Sequence, residues 1–376
     1  MSTATRYPTG ATQTAQKIGI VGAGQLGRML ALAGYPLGLK FVFLDKSADA
    51  PGGQVGAIIP GEFSDAQKLG ELAAAVDVLT YDVENVPVEA LGDIPRHKLF
   101  LPPVAALATG QDRLAEKNLF RELRIPTPKF RTVGSMPELE QAIQEIGYPA
   151  VLKTRRLGYD GRGQRLISSP AELGSAFNAL GGVPLILEEF IAFEREVSVI
   201  GVRNRSGETA FYPIAENLHS DGILRHTIAP CVDKQLQKPA ESYARRVMHH
   251  FDYAGVLTIE FFVRQGRLIA NETAPRVHNS GHWTIEGAVT SQFENHLRGI
   301  LDLPLGDTSA LGYAAMVNFI GELPPPATVL AIAGAHYHDY GKQPRPGRKL
   351  GHATLVCKTR KQLLAQLRKL PGAVRT

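Results

Sequence analysis

An apolar strand that runs directly into a glycine motif constrains the fold of this chain more than any other segment. Residues 17–21 read Lys-Ile-Gly-Ile-Val and are followed at 22–27 by Gly-Ala-Gly-Gln-Leu-Gly, which predicts a buried strand turning tightly into a helix. Further apolar runs at 40–44 and 77–81 predict two more strands. This alternation of strands and helices is typical of a parallel, doubly wound sheet, here over about residues 17–108.

The glycine motif alone leaves its ligand open. Gly22, Gly24 and Gly27 permit a tight turn and leave backbone amides at a helix N-terminus, where any phosphate is stabilised. With Asp45 at the end of a later strand, the motif also fits an NAD-binding site. A phosphate monoester, a dinucleotide and a purely structural turn are all compatible with these residues.

Length and composition exclude several classes of protein. At roughly 150 residues per domain, a chain of 376 residues predicts two or three domains. No apolar run approaches the roughly 20 residues of a membrane span, and two cysteines, Cys231 and Cys357, are too few for a disulfide framework. Residues 1–16 show neither periodicity nor a secretion-signal pattern, so we interpret them as a disordered extension of a protein of the reducing cytoplasm.

The excess positive charge is confined to the C-terminal end. The chain has 41 basic and 36 acidic residues, but ten of the basic ones and no acidic one fall in 341–376. Aromatic residues are not interleaved with these charges as they are in a platform for single-stranded nucleic acid. The cluster therefore favours a phosphorylated small molecule over a nucleic acid.

A second glycine-rich segment follows the Pro-Thr-Pro sequence at 126–128, which indicates a boundary between lobes. Lys153 ends a predicted strand at 150–153, and three glycines lie within 158–164. Their amides are suited to closing over phosphates while the lysine neutralises charge, although the segment lacks the GxxxxGK[ST] order of a P-loop. A flexible hairpin turn is the structural alternative.

Oxygen-bearing side chains gather at one end of a later β-hairpin. The sequence at 255–272 predicts two paired strands in which Glu260 lies opposite Asn271, with Glu272 beside them. Such ligands at the end of apolar strands predict a Mg²⁺ site shared with substrate phosphates, and Mn²⁺ fits nearly as well. A surface hairpin edge is the structural alternative.

Neighbouring polar residues admit further interpretations. His278 and His282 follow the hairpin, but no cysteine or third histidine is near them in sequence, which disfavours zinc. Glu188 and Glu196 end or begin apolar stretches. They suit hydrogen bonds to an adenine amino group or to ribose hydroxyls, but they also fit the solvated rim of a sheet.

Taken in order, these segments resemble the ATP-grasp superfamily, which combines a strand lysine, a flexible glycine loop, strand-end glutamates and a carboxylate hairpin. The more specific motifs are Gly-Gln-Leu-Gly-Arg-Met at 24–29, Gly-Tyr-Asp-Gly-Arg-Gly at 158–163, His-Ser-Asp-Gly at 219–222, Ala-Pro-Arg-Val-His-Asn-Ser-Gly-His at 274–282 and Arg-Lys-Leu-Gly-His at 348–352. Together they closely resemble the 5-(carboxyamino)imidazole ribonucleotide synthase family. The resemblance covers about residues 17–351.

The resemblance implies an α/β protein with α+β lobes and an ATP-grasp fold. Residues 17–110 would form an N-terminal Rossmann-like (pre-ATP-grasp) domain with a doubly wound parallel sheet. Residues 111–304 would form the ATP-grasp domain, with a small lid lobe at about 129–192, and 305–376 a small β-rich C-terminal domain. It also implies a cytoplasmic homodimer that acts on small molecules, without a nucleic-acid or membrane partner.

The resemblance further assigns roles to individual residues. ATP would be bound by Arg113, Lys153, Gly158, Tyr159, Asp160, Gly161, Arg162, Gly163, Gln164, Glu188, Glu189, Phe190, Ile191, Glu196, His219, Asn271 and Glu272. The second substrate would be bound by Gly24, Gln25, Leu26, Glu84, Tyr159, Arg162, Lys342, Arg348 and Lys349. Glu260 and Glu272 would hold Mg²⁺, and the catalytic residues would be Asp160, Arg276, His278 and Asn279.

The implied reaction joins bicarbonate to 5-aminoimidazole ribonucleotide through carboxyphosphate, with release of ADP and phosphate, in purine (IMP) biosynthesis. Asp160 or the released phosphate would accept the proton of the amine, and the glycine loop would close as a lid. One alternative is another ATP-grasp ligase, such as a formate-dependent glycinamide ribonucleotide transformylase or a biotin carboxylase. The other is a non-catalytic nucleotide-binding or NAD-dependent protein.

Overall fold

The computed structural model describes residues 16–92, 94–95, 97–158 and 163–373. Residues 1–15 of the predicted extension lie outside these ranges. Within them, the strands form one parallel and two antiparallel sheets. No helix in the described part of the chain is long and apolar enough to cross a membrane.

The first sheet is parallel, which confirms the prediction for the N-terminal segment. Its strands are β1 (Lys17–Val21), β2 (Lys40–Asp45), β3 (Ala57–Pro60), β4 (Val78–Tyr81) and β5 (Leu99–Phe100). They lie in the order β3-β2-β1-β4-β5. The associated helices are α1 (Gln25–Gly34), α2 (Ala66–Ala75), α3 (Val88–Leu91) and α4 (Val104–Gly110). The sequence does not reveal β3 and β5, because both are short and neither is fully buried.

A small lobe with an antiparallel sheet follows α5 (Arg113–Glu122). Its elements are β6 (Phe130–Val133), α6 (Met136–Ile146), β7 (Ala150–Thr154), β8 (Gln164–Ile167), α7 (Leu173–Leu180) and β9 (Leu185–Glu189). The strands lie in the order β6-β9-β7-β8. A separate apolar core fills the space beneath this sheet, with Leu139, Leu152 and Leu187 fully buried in it. Such a core allows the lobe to move as a unit.

The largest sheet is antiparallel and includes the C-terminal strands. Its first elements are β10 (Arg195–Arg203), β11 (Thr209–Phe211), β12 (Ala215–Ser220), β13 (Ile223–Ala229), α8 (Gln237–His250), β14 (Gly255–Arg264), β15 (Arg267–Ala274), α9 (Thr284–Gly287) and α10 (Gln292–Ile300). The remaining ones are β16 (Tyr313–Ile320), α11 (Pro326–Leu330), β17 (Ala335–Asp339), β18 (Lys349–Cys357) and α12 (Arg360–Leu367). The strand order is β15-β14-β10-β12-β13-β16-β18-β17, and β11 pairs with β10.

The predicted elements correspond closely to those observed, with differences at their ends. The apolar pattern of 171–180 predicts a helix, and the observed helix begins at Leu173, after a short 3₁₀ turn. The apolar run at 268–271 predicts the second strand of the hairpin, and the observed strand extends to Ala274. The pattern of 361–370 predicts a final helix, and the observed helix ends at Leu367.

The first sheet and the largest sheet share one hydrophobic core, and this places the glycine motif at the cleft described below. Leu30 of α1 and Phe43 of β2 belong to the same buried cluster as Trp283 and Leu297. A Cβ on Gly34 would lie 3.0 Å from Leu297, so α1 and α10 approach closely at this glycine. The N-terminal end of α1 is thereby held beside the carboxylate hairpin.

Candidate active site

A cleft of about 620 Å³ is lined by residues of the first sheet, the small lobe and the largest sheet. Most of the described residues that the sequence assigns to a ligand line this cleft. They are Gln25, Leu26, Glu84, Arg113, Lys153, Gly158, Gln164, Glu188, Glu189, Phe190, Ile191, Glu196, His219, Glu260, Asn271, Glu272, Arg276, His278, Asn279 and Lys349. Gly24, Gly163, Lys342 and Arg348 are described but are not among the lining residues.

The tip of the glycine loop, Tyr159, Asp160, Gly161 and Arg162, lies outside the described residues. Both of its ends are fixed at the cleft. Arg113 Nη2 donates a hydrogen bond to the carbonyl of Gly158 at 3.1 Å. The carbonyl of Gly163 accepts one from the amide of Thr154 at 2.8 Å. The loop therefore begins and ends beside the strand that carries Lys153.

A buried charge cluster lies at the end of β7 and β9. Lys153 Nζ donates to Glu188 Oε2 at 2.9 Å, and Lys117 Nζ lies 3.6 Å from the same oxygen. Burial raises the pKa of Glu188, but the two ammonium groups outweigh it and lower this pKa to about 2. Glu188 Oε1 is buried and has no hydrogen-bond partner among the described residues. An ionised carboxylate oxygen thus remains available to a donor in the cleft.

A histidine and a glutamate form a second pair on neighbouring strands of the largest sheet. His219 Nδ1 lies 2.7 Å from Glu196 Oε2, and both line the cleft. Burial lowers the pKa of His219, whereas the hydrogen bond to Glu196 and the charge of Glu260 raise it, and the net result is a raised pKa. The pair presents one ring nitrogen and one carboxylate oxygen to polar groups of a ligand.

The structure corrects the predicted register of the carboxylate hairpin. Glu260 lies opposite Glu272 and not opposite Asn271, because the register shifts between Glu260 and Phe261. Phe261 pairs with Ala270, so Asn271 is the extra residue of a β-bulge. The bulge places the side chains of two consecutive residues, Asn271 and Glu272, on the cleft.

The donor set of this hairpin suits a hard divalent cation. Burial, together with the carboxylates of Glu272 and Glu196, raises the pKa of Glu260 to about 7 against the opposing effect of His219. A cation between Glu260 and Glu272 would relieve this repulsion. No group of three or more His, Cys, Asp or Glu in the described ranges is arranged to hold a metal by itself. Coordination here therefore requires oxygens from elsewhere, such as those of a phosphate.

Next to the hairpin, the cleft wall carries an arginine, a neutral histidine and an asparagine, with His278 Nε2 3.5 Å from Glu260 Oε1. Arg276 Nη2 lies 3.1 Å from Glu84 Oε1. Burial, followed by the charge of Arg276, lowers the pKa of His278 well below its ordinary value. The side-chain amides of Asn279 and Asn318 hydrogen-bond each other reciprocally, at 3.1 and 2.7 Å. This wall thus presents one positive charge and oriented, uncharged polar groups.

The glycine motif contributes fewer free amides than its sequence indicates. The amide of Ala23 donates to Asp45 Oδ2 and that of Gly27 to Asp82 Oδ2, both at 2.9 Å. Of the motif, Gln25 and Leu26 line the cleft. Lys342 Nζ donates to Gln25 Oε1, whereas Arg348 Nη1 donates to the carbonyl of Gln343 at 3.1 Å.

Three charged residues beside the site are not singled out by the sequence reasoning. Asp82 is 3% exposed, Glu116 is 2% exposed and Lys117 is 1% exposed. The available signal is their position: Glu116 and Lys117 lie four and three residues before the buried Phe120, on the apolar face of α5. Charged residues at such positions are rarely buried without a partner.

Models of known protein families match the chain in three consecutive parts. A ribonucleotide synthetase preATP-grasp domain matches residues 15–111, and an ATP-grasp domain matches 118–293. A phosphoribosylaminoimidazole carboxylase C-terminal domain matches 314–366. The first boundary falls between the first sheet and the small lobe, and the second falls between α10 and β16, within the part of the chain that forms the largest sheet.

Curated relatives and solved structures are similar over nearly the whole chain. N5-carboxyaminoimidazole ribonucleotide synthase of Pseudomonas aeruginosa is 50% identical over 358 residues, which are 95% of this chain and 99% of the relative. The structure of N5-carboxyaminoimidazole ribonucleotide synthetase from Thermus thermophilus has a TM-score of 0.91 and 53% identity, over 96% of this chain and 99% of that one. The Aspergillus clavatus synthase, solved with ADP and 5-aminoimidazole ribonucleotide, has a TM-score of 0.88 and 32% identity, over 94% and 97%.

Proposed function

Because the chain belongs to the N5-carboxyaminoimidazole ribonucleotide synthase family, we propose that this cleft is where it carboxylates 5-aminoimidazole ribonucleotide with bicarbonate and ATP. The protein is an ADP-forming ATP-grasp ligase of purine biosynthesis. One observation supports placing this reaction in the cleft. The cleft brings together the buried Lys153–Glu188 pair, the Glu260–Glu272 hairpin and the wall that carries Arg276.

ATP lies between the small lobe and the largest sheet. The free oxygen of Glu188 accepts from the adenine amino group, and Phe190 and Ile191 supply the apolar surface around the base. Glu196 and His219 face the ribose. Lys153, Arg113 and the amides of the glycine loop, including Tyr159, Gly161 and Arg162, neutralise and orient the phosphates.

Glu260 and Glu272 hold Mg²⁺, or Mn²⁺ in its place, with Asn271 beside them. When bound, the ion neutralises charge on the phosphates. The protein's own part is to hold the two carboxylates opposite each other on paired strands, and the pairing of Glu260 with Glu272 supports this role.

Two covalent steps follow from this placement. An oxygen of bicarbonate attacks the γ-phosphorus of ATP, and the bond from that phosphorus to the oxygen bridging to the β-phosphate breaks. ADP is the leaving group, and carboxyphosphate remains in the cleft. The amine of the second substrate then attacks the carboxyl carbon, and the carbon–oxygen bond to phosphate breaks. Arg276 stabilises the negative charge that develops in both steps. Asn279 and the neutral His278 orient the bicarbonate ion. The amine proton passes to Asp160 or to the departing phosphate.

The second substrate lies against the first domain. Gln25 and Leu26 at the start of α1, with Gly24 before them, face its phosphate, and Glu84 accepts from a ribose hydroxyl. Three basic residues near this end of the cleft complete the phosphate site: Lys342, Arg348 and Lys349. The contact between Lys342 and Gln25 supports this placement, because it joins the C-terminal segment to α1.

Carboxyphosphate must be kept from water, which requires the small lobe to act as a lid. The separate core of that lobe supports motion of 129–192 as a unit. The functional units of the chain are 17–110, 111–304 and 305–376, each of which contributes residues to the cleft. The protein works in the cytoplasm as a homodimer, and its unpaired cysteines, Cys231 and Cys357, suit a reducing compartment.

The decisive experiment measures ADP release from ATP, Mg²⁺ and bicarbonate with and without 5-aminoimidazole ribonucleotide. Glycinamide ribonucleotide with formate serves as the control pair. We expect turnover to require the aminoimidazole substrate and to be lost in Lys153→Met but retained in Lys238→Met, since Lys238 is exposed on α8. Turnover with the control pair alone would instead identify a different ATP-grasp ligase.

A further inference from the structure

The bulge at Asn271 lies on an edge strand whose outer side is covered by charged residues of α5. β15 is the last strand of the largest sheet, so its outward backbone groups have no neighbouring strand to bond. Lys117 Nζ donates to the carbonyl of Asn271 at 2.5 Å. Glu116 Oε1 accepts from the amide of Thr273 at 2.5 Å and from its hydroxyl at 2.8 Å. These contacts flank Glu272 on both sides.

Without the bulge, Asn271 and Glu272 could not both face the nucleotide. Successive side chains of a regular strand point to opposite sides of the sheet. Both residues line the cleft here because the bulge re-aims one of them. A bulge lacks one set of ladder hydrogen bonds, so its geometry depends on whatever else bonds its backbone. In this protein Lys117 and Glu116 bond it at Asn271 and Thr273, while Pro126 and Thr127 bond the preceding Ala270.

Helix α5, which carries Glu116 and Lys117, is itself bonded to the segment that follows the strand of Lys153. Asp112 caps α5 by accepting from the amide of Leu114 at 3.0 Å. The same carboxylate accepts from Arg155 Nε at 3.0 Å and from Arg155 Nη2 at 2.5 Å. Arg155 follows β7 directly, two residues after Lys153. Helix α5 therefore fixes the distance between the lysine of β7 and the bulge of β15.

Burying the charged side chains of Glu116 and Lys117 costs desolvation free energy, so stability alone does not explain their presence. Apolar residues of similar volume often stabilise a protein as well or better. Charged groups, in contrast, hold backbone atoms in one geometry through short, directional hydrogen bonds. The cluster thus gains specificity of position at a cost in desolvation.

We infer that Glu116 and Lys117 are positioning residues of the metal–nucleotide site, which act by holding the bulge that presents Asn271 and Glu272 together. The inference rests on the proposed function, in which this hairpin holds the divalent ion. It assigns to α5 a role in how strongly the ion couples to nucleotide binding. Neither residue itself touches the ion or the reacting atoms.

The first test compares ADP affinity with Mg²⁺ and with EDTA by calorimetry, in the native chain and in Lys117→Met. We expect Mg²⁺ to tighten ADP binding in the native chain, and Lys117→Met to reduce that gain about tenfold, since it removes a charged hydrogen bond. Affinity for metal-free ADP should change less, because Lys153 still holds Glu188. Lys117→Arg should restore part of the gain, and Lys238→Met should match the native chain.

A second readout separates positioning from general damage. Because a displaced metal site misplaces the γ-phosphate, kcat of Lys117→Met should fall about 10²-fold. The KM for 5-aminoimidazole ribonucleotide should stay close to native. The inference would be overturned if a folded Lys117→Met variant had the native kcat and if Mg²⁺ increased its affinity for ADP as much as in the native chain.

Circular dichroism and gel filtration establish whether Lys117→Met folds. If it does not, Thr273→Val decides, since it removes only the hydroxyl that donates to Glu116. A reduced Mg²⁺ gain in Thr273→Val supports the inference, and a native one overturns it. Because the ADP measurement needs no second substrate, a failure of the proposed carboxylation would leave this result unaffected and distinguishable.

Discussion

The carboxylate of Asp82, one residue beyond β4, accepts a hydrogen bond from the amide of Gly27 at 2.9 Å. It therefore occupies the first turn of α1 on the side that faces the glycine motif. The amide of Gly27 is therefore satisfied within the protein and is not free for a phosphate, whereas Gln25 and Leu26 still line the cleft. Gly22 and Gly27 act here chiefly as a close-packed turn around Asp82.

Gly22→Ala should destabilise the protein through this packing. A Cβ at Gly22 would lie 1.8 Å from Asp82 Oδ1, and the backbone φ of +97° is one that L-residues rarely adopt. We expect a loss of about 2–4 kcal/mol in the free energy of unfolding, measured by urea denaturation.

Gly38→Ala is the matched control for Gly22→Ala. Gly38 also has a positive φ, +74°, but no atom lies within 4 Å of its hypothetical Cβ. It should show the backbone strain alone and thus a smaller loss. Equal losses in the two variants would contradict the packing role of Asp82.

The ionisation of Asp82 should make stability depend on pH. Burial raises its pKa to about 6, although the hydrogen bond from Gly27 opposes this. The pKa of an unfolded aspartate is about 3.9, so the native state binds the proton more tightly. The resulting stabilisation is complete below about pH 4 and is lost as the pH rises through about 6, by roughly 3 kcal/mol in total.

Asp82→Asn cannot ionise and should lack this pH dependence. The stability of the native chain minus that of Asp82→Asn should therefore fall between pH 4.5 and 7.5 in thermal or urea unfolding. Asp49→Asn, at an exposed position, is the control and should leave the profile unchanged. A constant difference between the native chain and Asp82→Asn would argue against a raised pKa.

Local patterns were sufficient to predict the hairpin of β14 and β15, but not its register. The strands pair as adjacent segments with a short turn, which sequence periodicity reveals. The shift at Glu260 lies beside the contacts of Lys117 and Glu116, which reach Asn271 and Thr273 from about 150 residues earlier in the chain. Pairing rules between neighbouring strands contain no information about such a contact.

The same distinction applies to the rest of the site. Lys153 is predicted because a lysine at the end of an apolar strand before a glycine loop is a local pattern. Asp82 is missed because its role depends on the turn at Gly22 and Gly27, which follows a different strand, β1. Arg348 is predicted from its charge and motif, but the structure places it outside the lining of the cleft.

Removing Lys153 should weaken ATP binding and also leave Glu188 with a single ammonium partner. We expect Lys153→Met to raise the Kd for ATP by about 10- to 100-fold, since a charged contact to the phosphates is lost. It should also lower stability, because Glu188 is buried and ionised.

The double variant Lys153→Met/Glu188→Gln separates these two effects. It removes both members of the Lys153–Glu188 pair, so its loss of stability should be smaller than the sum of the losses in the single variants. Its affinity for ATP should remain low. Additive stability losses in unfolding experiments would show that the pair is not coupled.

Lys342 should determine how the second substrate responds to alkaline pH. Burial, followed by the charge of Arg348, lowers the pKa of Lys342 to about 8. Above that pH the ammonium loses its charge and its attraction to a substrate phosphate. The KM for 5-aminoimidazole ribonucleotide should therefore rise between pH 7 and 9, while the KM for ATP stays constant.

Lys342→Arg remains charged in this range and should remove the rise, whereas Lys342→Met should raise the KM about tenfold at pH 7. Lys358→Met, at an exposed position on the same C-terminal segment, should behave as the native chain does. If Lys342→Arg and the native chain showed the same pH profile, the titrating group would have to lie elsewhere in the cleft.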